Sequence, residues 1–411
     1  MEPTVGIREE LPPIGPGLYL HIPFCERKCV YCDFYSIEKV EQTGMFLSAL
    51  HSEIDLIADR YPTTPEFATV FLGGGTPSLL SPRQMDDVMN HLHRRFHISS
   101  TAEITAECNP GTVDVAKLSA YRTSGINRIS FGVQSFNQDE LDFLGRIHNA
   151  DQARSAVRAA RDAGFDNLSI DLIFALPMHT QERWEHTLRE AVALEPEHIS
   201  AYSLIYEEGT PLYAQKEKGL VTPLDEDIDA DLYLFTIEFL AQHGYRQYEV
   251  SNYARAGGWV KDDVMQTPNP QPPIPIFASK HNLNYWRRGE YLSFGPSAHS
   301  FWEGERRWNV SSLTSYLETL STGALPVAGS ERLTRQQVLA EVISLGLRSD
   351  GIRLWQFRDL FNFDFLGRNR APLDAFVSAG LLLIDQHTVR CTPKGYLSCD
   401  ALALELLNDC E

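Results

Sequence analysis

Two hydrophobic rhythms run through the first part of the chain. Short runs rich in Leu, Ile, Val and Phe predict strands at Leu18–Ile22, Thr69–Leu72, Glu103–Glu107, Arg128–Val133, Leu168–Phe174 and Ile199–Leu204. Between them, apolar positions return at helical spacing: Phe46, Leu47, Leu50, Ile54 and Ile57, then Met85, Val88, Met89 and Leu92. Further helices are predicted across Val113–Thr123, Asp151–Ala163 and Thr180–Leu194. Gly125 and Gly164 stand where a helix ends on a left-handed glycine. Such alternation predicts parallel strands joined by right-handed crossovers. The fold class is therefore α/β, as an open twisted sheet or an incomplete barrel. In both, the loops at the carboxyl ends of the strands build the site.

The remaining chain divides by pattern. A lead over residues 1–17 precedes the strand–helix units of residues 18–220. Residues 221–330 hold one strong helix, Asp229–His243, and then many aromatic and Asn residues. Within them, Thr267–Pro275 reads as a mobile surface loop. Residues 331–411 show helical patterns at Arg335–Leu347, Leu354–Leu360 and Leu373–Ala379, then a hairpin pattern at Leu381–Ile384 and Val389–Thr392. That order is winged-helix-like. The third helix has too few basic residues to read a DNA groove, so a packing module is expected.

Composition narrows the function classes. At 411 residues the chain exceeds what one core supports, and 55 acidic against 36 basic side chains give a net charge of −19. This disfavours nucleic acid as a partner. No apolar run approaches the roughly 20 residues of a membrane helix, so an integral membrane protein is not expected. Met1–Pro13 contains Glu2, Glu9 and Glu10 and no apolar stretch, which predicts neither a secretory signal nor a transit peptide and points to the cytoplasm.

Seven cysteines carry the chemistry. Cys25, Cys29 and Cys32 lie within eight residues after the first strand, while Cys108, Cys391, Cys399 and Cys410 are scattered and read as buried thiols. Neighbours this close suit metal or iron–sulfur ligation better than disulfides. Three thiolates on a [4Fe–4S] cubane leave one iron without a protein ligand, and an open position is what substrate or cofactor chemistry needs. The alternative is a three-cysteine zinc site completed by a histidine such as His21.

Phe71-Leu-Gly73-Gly74-Gly75-Thr76-Pro77-Ser78 follows the second strand. It is either a tight turn or a close-approach loop whose amides and carbonyls meet a charged head group. Glu107, the Arg128–Gln134 segment, Arg146 and Asp171 fall near the ends of later strands. Singly each reads as a salt-bridged structural group; together they place carboxylates and a cation on one rim, as a zwitterionic, cationic ligand requires.

The spacing Cys25-x-x-x-Cys29-x-x-Cys32 after a strand resembles the radical S-adenosylmethionine (SAM) superfamily. The longer motifs His21-Ile-Pro-Phe-Cys25, Gly73-Gly-Gly-Thr-Pro-Ser78, Glu107-Cys-Asn-Pro110, Arg128-Ile-Ser-Phe-Gly-Val-Gln-Ser-Phe136, Tyr248-Glu-Val-Ser-Asn-Tyr253, His281-Asn-Leu-Asn-Tyr-Trp286 and Gly295-Pro-Ser-Ala-His-Ser300 resemble the HemN/HemW group. The resemblance implies a partial (β/α)6 TIM-like barrel with a small C-terminal winged-helix-like domain. It implies a [4Fe–4S] cluster on Cys25, Cys29 and Cys32, and SAM held by Tyr19, Tyr31, Gly74, Gly75, Thr76, Glu107, Gln134, Arg146 and Asp171.

Two branches compete. The HemN branch, oxygen-independent coproporphyrinogen III dehydrogenases, carries a fourth cysteine two residues after the third; here Cys32 is followed by Asp33 and Phe34. The HemW branch has Cys-Asp-Phe-Tyr-Ser, as at Cys32–Ser36. Similarity to that branch implies a haem chaperone without dehydrogenase activity, delivering haem to apo-haemoproteins, membrane respiratory enzymes among the candidates. It implies haem contact at His281–Trp286, where His281 is either an axial ligand or a structural turn histidine. Gly257–Ala278 is an insertion relative to the family pattern. Whether the chain works as a homodimer stays open at this level.

Overall fold

A computed structural model describes residues 14–256 and 275–408. In β1 (Gly17–Ile22), Leu18, Leu20 and Ile22 are fully buried on one face, and Tyr19 and His21 alternate onto the other. The same alternation runs through β2 (Phe67–Gly74), β3 (Ile98–Cys108), β4 (Arg128–Gln134), β5 (Leu168–Phe174) and β6 (His198–Ser203). These six strands pair in chain order, all parallel. Their outer apolar faces share one core with helices Thr43–Arg60, Pro82–Arg95, Val115–Thr123, Ala150–Asp162 and Gln181–Ala193. Their inner faces carry Glu103, Glu107, Arg128, Ser130, Asp171 and Ser200. This is the partial (β/α)6 barrel that the family resemblance implies, one of the two forms the strand–helix rhythm left open.

Capping chemistry fixes the helix boundaries. Ser81 with Gln84, and Asn149 with Gln152, form reciprocal capping boxes. Asp114 caps Val115–Thr123, so Val113 lies outside that helix. Gly125 and Gly164 take φ of +100° and +86° at the helix ends, where a Cβ would be strained.

The middle of the chain extends the same sheet at both edges. β7 (Tyr245–Gln247) and β8 (Asn252–Arg255) add antiparallel beyond β6. β9 (Tyr291–Phe294) pairs parallel with β1, and β10 (His299–Trp302), β11 (Glu305–Asn309) and β12 (Val327–Arg332) follow antiparallel, giving a 12-stranded sheet. These short strands give little periodicity, and pattern alone placed only the helix before them, here Glu226–Gln242. Most of the expected insertion, residues 257–274, lies outside the described residues. Its end does not: Ala278 is buried and its N–H donates to the Pro275 carbonyl at 2.9 Å.

The C-terminal region has its own core around Ile343, Leu347, Phe357 and Val389. Helix Arg335–Leu347 forms as expected. The expected helix Leu354–Leu360 is instead a short helix, Leu354–Gln356, running into a π turn, Phe357–Phe361, that Asn362 stops at φ +54°. β13 (Ile352–Arg353) joins the hairpin of β14 (Leu382–Ile384) and β15 (Thr388–Cys391) as a third strand. A further helix, Cys399–Asn408, which the hydrophobic pattern did not single out, packs Leu402, Ala403 and Leu406 into this core. Cys108, Cys391 and Cys399 are free and buried, as the sequence predicts; Cys410 lies outside the described residues. Among the described residues, no helix is long and apolar enough to cross a membrane.

Candidate cluster and cofactor site

The loop after β1 carries the three clustered cysteines. It is pinched at its base, where Cys25 N–H donates to the Ile37 carbonyl at 3.0 Å and Ile37 N–H to the Pro23 carbonyl at 2.7 Å. The loop after β2 is stitched onto it: Gly75 N–H donates to Ile22 O at 2.9 Å and Thr76 N–H to Phe24 O at 2.7 Å. The packing is close enough that a Cβ on Gly75 would stand 2.6 Å from the Phe24 carbonyl oxygen. Gly74, at φ +101°, would drive a Cβ to 2.5 Å from the His21 ring. The glycines thus do more than turn the chain. They let two strand-end loops meet.

Cys25, Cys29 and Cys32 are free and partly exposed. Two already receive hydrogen bonds: the Thr76 hydroxyl donates to Cys25 Sγ at 3.5 Å, and Arg146 Nη1 to Cys29 Sγ at 3.3 Å. Burial first, and then the neighbouring Cys29 and Cys25 thiols, push the Cys32 thiol up to about 11. Such a set gains most from a bound cationic metal core. Among the described residues no three His, Cys, Asp or Glu side chains close around a single metal ion. A cubane needs no such convergence, because each thiolate takes a different iron. His21, the histidine offered for a zinc site, is spent elsewhere. Its Nε2 bonds the Tyr35 carbonyl at 2.7 Å, so Nε2 carries the proton and Nδ1 accepts from the Tyr19 hydroxyl at 3.1 Å. The donor set fits a [4Fe–4S] cluster.

On the inner strand faces, Tyr19, Phe71, Glu107 and Asp171 are partly exposed and Tyr202 is exposed, and Tyr285 of helix Lys280–Trp286 is partly exposed as well. Gly74 N–H donates to Glu107 Oε2 at 3.2 Å, tying the glycine loop to β3. Burial, and then the charge of Asp171, push Glu107 up to about 8. Asp171 accepts from Ser200 at 2.7 Å and from Ser130 at 2.9 Å, and its pKa too is raised by burial. Burial raises both carboxyls, and Asp171 adds to the shift of Glu107, so a cationic ligand beside them would favour their ionised forms. On the opposite side, Arg146 Nη2 donates to the Gly132 carbonyl at 2.6 Å, beside Gln134, which ends β4 at φ +70°. Tyr31 packs over Leu144, Leu176 and Leu212 next to Arg146. The residues expected around SAM therefore gather at one end of the barrel.

His281 does not join them. It is 1% exposed: its Nδ1 bonds Thr69 Oγ1 at 2.7 Å and its Nε2 the Tyr285 hydroxyl at 2.8 Å. Phe71 stacks on it at 5.1 Å between ring centroids. Burial, and then Arg128, hold its pKa down at about 3, so the ring is neutral. In this conformation both ring nitrogens are hydrogen-bonded and the ring is buried.

Pattern reading missed a supporting network. Glu53, buried in helix Thr43–Arg60, accepts from Gly295 N–H at 2.7 Å, Asn309 Nδ2 at 2.5 Å and the Tyr316 hydroxyl at 2.6 Å. Gly295 in turn lies against the His21 carbonyl. The Gly295–Ser300 motif was visible in the sequence; its partner on a distant helix was not.

The comparisons agree with this architecture. The Radical SAM superfamily model matches residues 19–191, and the HemN C-terminal domain model residues 333–397. The "Heme chaperone HemW" of Bacillus subtilis is 34% identical over 384 residues, covering 92% of this chain and 96% of that protein. The chain belongs to the HemW family of radical SAM proteins. The Mycobacterium tuberculosis HemW is 32% identical, covering 97% of this chain and 98% of its own. A mouse relative, "Radical S-adenosyl methionine domain-containing protein 1, mitochondrial", is also 32% identical, with 95% and 87% covered. Among solved structures, the Escherichia coli coproporphyrinogen III oxidase HemN superposes with a TM-score of 0.79 at 23% identity, covering 96% of this chain and 90% of that one. That match shows the shared fold. HemW membership accounts for the barrel and the HemN-type C-terminal domain together.

Proposed function

We propose that the chain is a cytoplasmic haem chaperone that carries a [4Fe–4S] cluster and SAM, binds haem and passes it to apo-haemoproteins, membrane respiratory enzymes among them. One observation carries the choice. Phe34 stands where the dehydrogenase branch has its fourth cysteine, and it is 63% exposed and offers no thiolate. The next residue, Tyr35, anchors the loop: its carbonyl accepts from His21, and its hydroxyl accepts from Leu313 N–H at 2.7 Å. Relatives that carry the chaperone name match this chain nearly end to end.

In this reading Cys25, Cys29 and Cys32 hold the cluster, which when bound supplies an open iron for the amino and carboxylate groups of SAM. The Gly73–Thr76 backbone, Glu107 and Asp171 orient the cationic end of that ligand. Tyr19, Tyr31, Gln134 and Arg146 enclose the rest and limit solvent.

The deciding experiment is haem uptake and release. Anaerobically reconstituted protein should take up haemin with a Soret band and transfer it to an apo-haemoprotein. Turnover of coproporphyrinogen III to protoporphyrinogen by the same preparation would overturn the proposal in favour of a dehydrogenase.

A further inference from the structure

The helix that seats His281 in the barrel ends five residues later at Trp286, on a different surface. Trp286 lines a groove between the barrel and the C-terminal domain with Arg287, Arg353, Asp350, Trp355 and Leu360. The groove differs electrically from the rest of this acidic chain. Arg287 Nη2 and Arg353 Nη2 both point at one oxygen, Asp350 Oδ2, at 2.8 and 2.9 Å, so two cations share one carboxylate. The next acid, Glu341, is already shared by Arg288 and Arg306, and Glu331 adds a weaker pair to Arg306 at 3.7 Å, so four guanidiniums meet three carboxylates. A surplus of positive charge remains. The Arg287 side chain is only 11% exposed, and its Nε is buried with no hydrogen-bond partner. Burial outweighs Asp350 and holds this guanidinium below its ordinary pKa. A buried, undercompensated guanidinium fits a second carboxylate.

The walls define the rest of the ligand. Trp355 is 38% and Leu360 52% exposed at the mouth, an apolar surface beside a cationic floor. The cavity measures about 210 Å³. That is smaller than the roughly 300–1,000 Å³ of an enclosing ligand pocket. It admits one edge of a large flat molecule, with the remainder lying outward against the indoles. Arg288, at φ +55°, holds the left-handed turn that splays the two neighbouring guanidiniums to different acids.

We propose that this interdomain groove binds a planar aromatic carboxylate by its acidic edge: the propionate side of haem, clamped by Arg287 and Arg353 and flanked by Trp286 and Trp355. This rests on the chaperone reading and places haem outside the barrel rather than on His281. The test is a haemin titration followed at the Soret band for the parent chain, Trp355→Ala, Arg353→Gln and His281→Asn. Both groove variants leave the Arg287–Asp350 pair in place, and thermal melting checks that they fold. Each should bind haemin about tenfold more weakly. The parent should prefer protoporphyrin to its dimethyl ester, and Arg353→Gln should lose that preference. Unchanged affinity in both groove variants, with loss in His281→Asn, overturns the groove and assigns haem to the barrel. A parent chain that takes up no haemin overturns the chaperone reading itself.

Discussion

The amide of Gly75 donates to the carbonyl of Ile22 at 2.9 Å, so the glycine loop continues the pairing of β1 with β2 past the end of β2. This contact sets the distance between the cluster loop and the loop expected to face the cofactor. Gly75→Ala puts a Cβ 2.6 Å from the Phe24 carbonyl oxygen, a backbone atom that cannot swing aside. The variant should lose most of its iron and sulfide after reconstitution while keeping the circular dichroism of the parent. Full cluster content would refute this account of the loop.

Arg146 touches Cys29 Sγ and the Gly132 carbonyl with two different nitrogens. Hydrogen bonds to cluster sulfurs raise the reduction potential, and removing such support typically costs about 10–100-fold in metal affinity or activity. Arg146→Gln should shift the cluster couple to more negative potential and weaken SAM binding. An unchanged midpoint in electron-paramagnetic-resonance titration would show that the contact has no electronic consequence.

Glu107 sits near pH 8 in the ligand-free chain, so at pH 7 it is largely protonated. A cationic ligand favours the ionised carboxylate and must expel that proton. Binding of SAM at pH 7 should therefore release close to one proton, read as a dependence of calorimetric heat on buffer ionisation enthalpy. Glu107→Gln should abolish the release. Affinity in the parent should rise as pH climbs toward 8.

Three carboxyls, Glu53 and Glu249 buried and Glu107 partly so, share one pH signature. Glu53 is pushed up to about 7, and Glu107 and Glu249 to about 8, burial being the first cause of each. The folded chain then binds more protons than the unfolded one between the ordinary carboxyl pKa and these values, so stability falls as pH rises through that window. The melting temperature of the cluster-free chain should drop from pH 5 to pH 8. Glu249→Gln should flatten the slope. A melting temperature that rises over this range would contradict it.

Glu140 behaves in the opposite sense. Burial alone would raise it, but the His179 ring 3.4 Å away and the hydrogen bond from the Ser135 hydroxyl hold it down to about 2. Arg183 Nε also donates to it at 2.9 Å. Its stabilisation is present above the ordinary carboxyl pKa and fades as pH falls toward 2. Arg183→Ala leaves this buried carboxylate short of a cation and should cost about 3 kcal/mol in urea unfolding at neutral pH.

The six barrel strands were legible because each alternates apolar and polar residues against a helix layer, a pattern that a handful of adjacent residues records. The cysteine triplet and the glycine run were legible for a related reason: their chemistry depends on spacing along one loop. The partners that hold these loops were not. Glu53 reaches Asn309 across 256 residues, and no local rhythm announces a carboxylate that will be buried. The strands from Tyr245 to Asn309 are three to five residues long and β12 buries no face, so none imposes a periodicity and their place at both edges of the sheet follows from pairing alone. His281 marks the same boundary most clearly. Its motif can be read in the chain, and Tyr285, one turn on in the same helix, is a local partner; the hydroxyl of Thr69, 212 residues away, is brought to the other nitrogen only by the packed barrel.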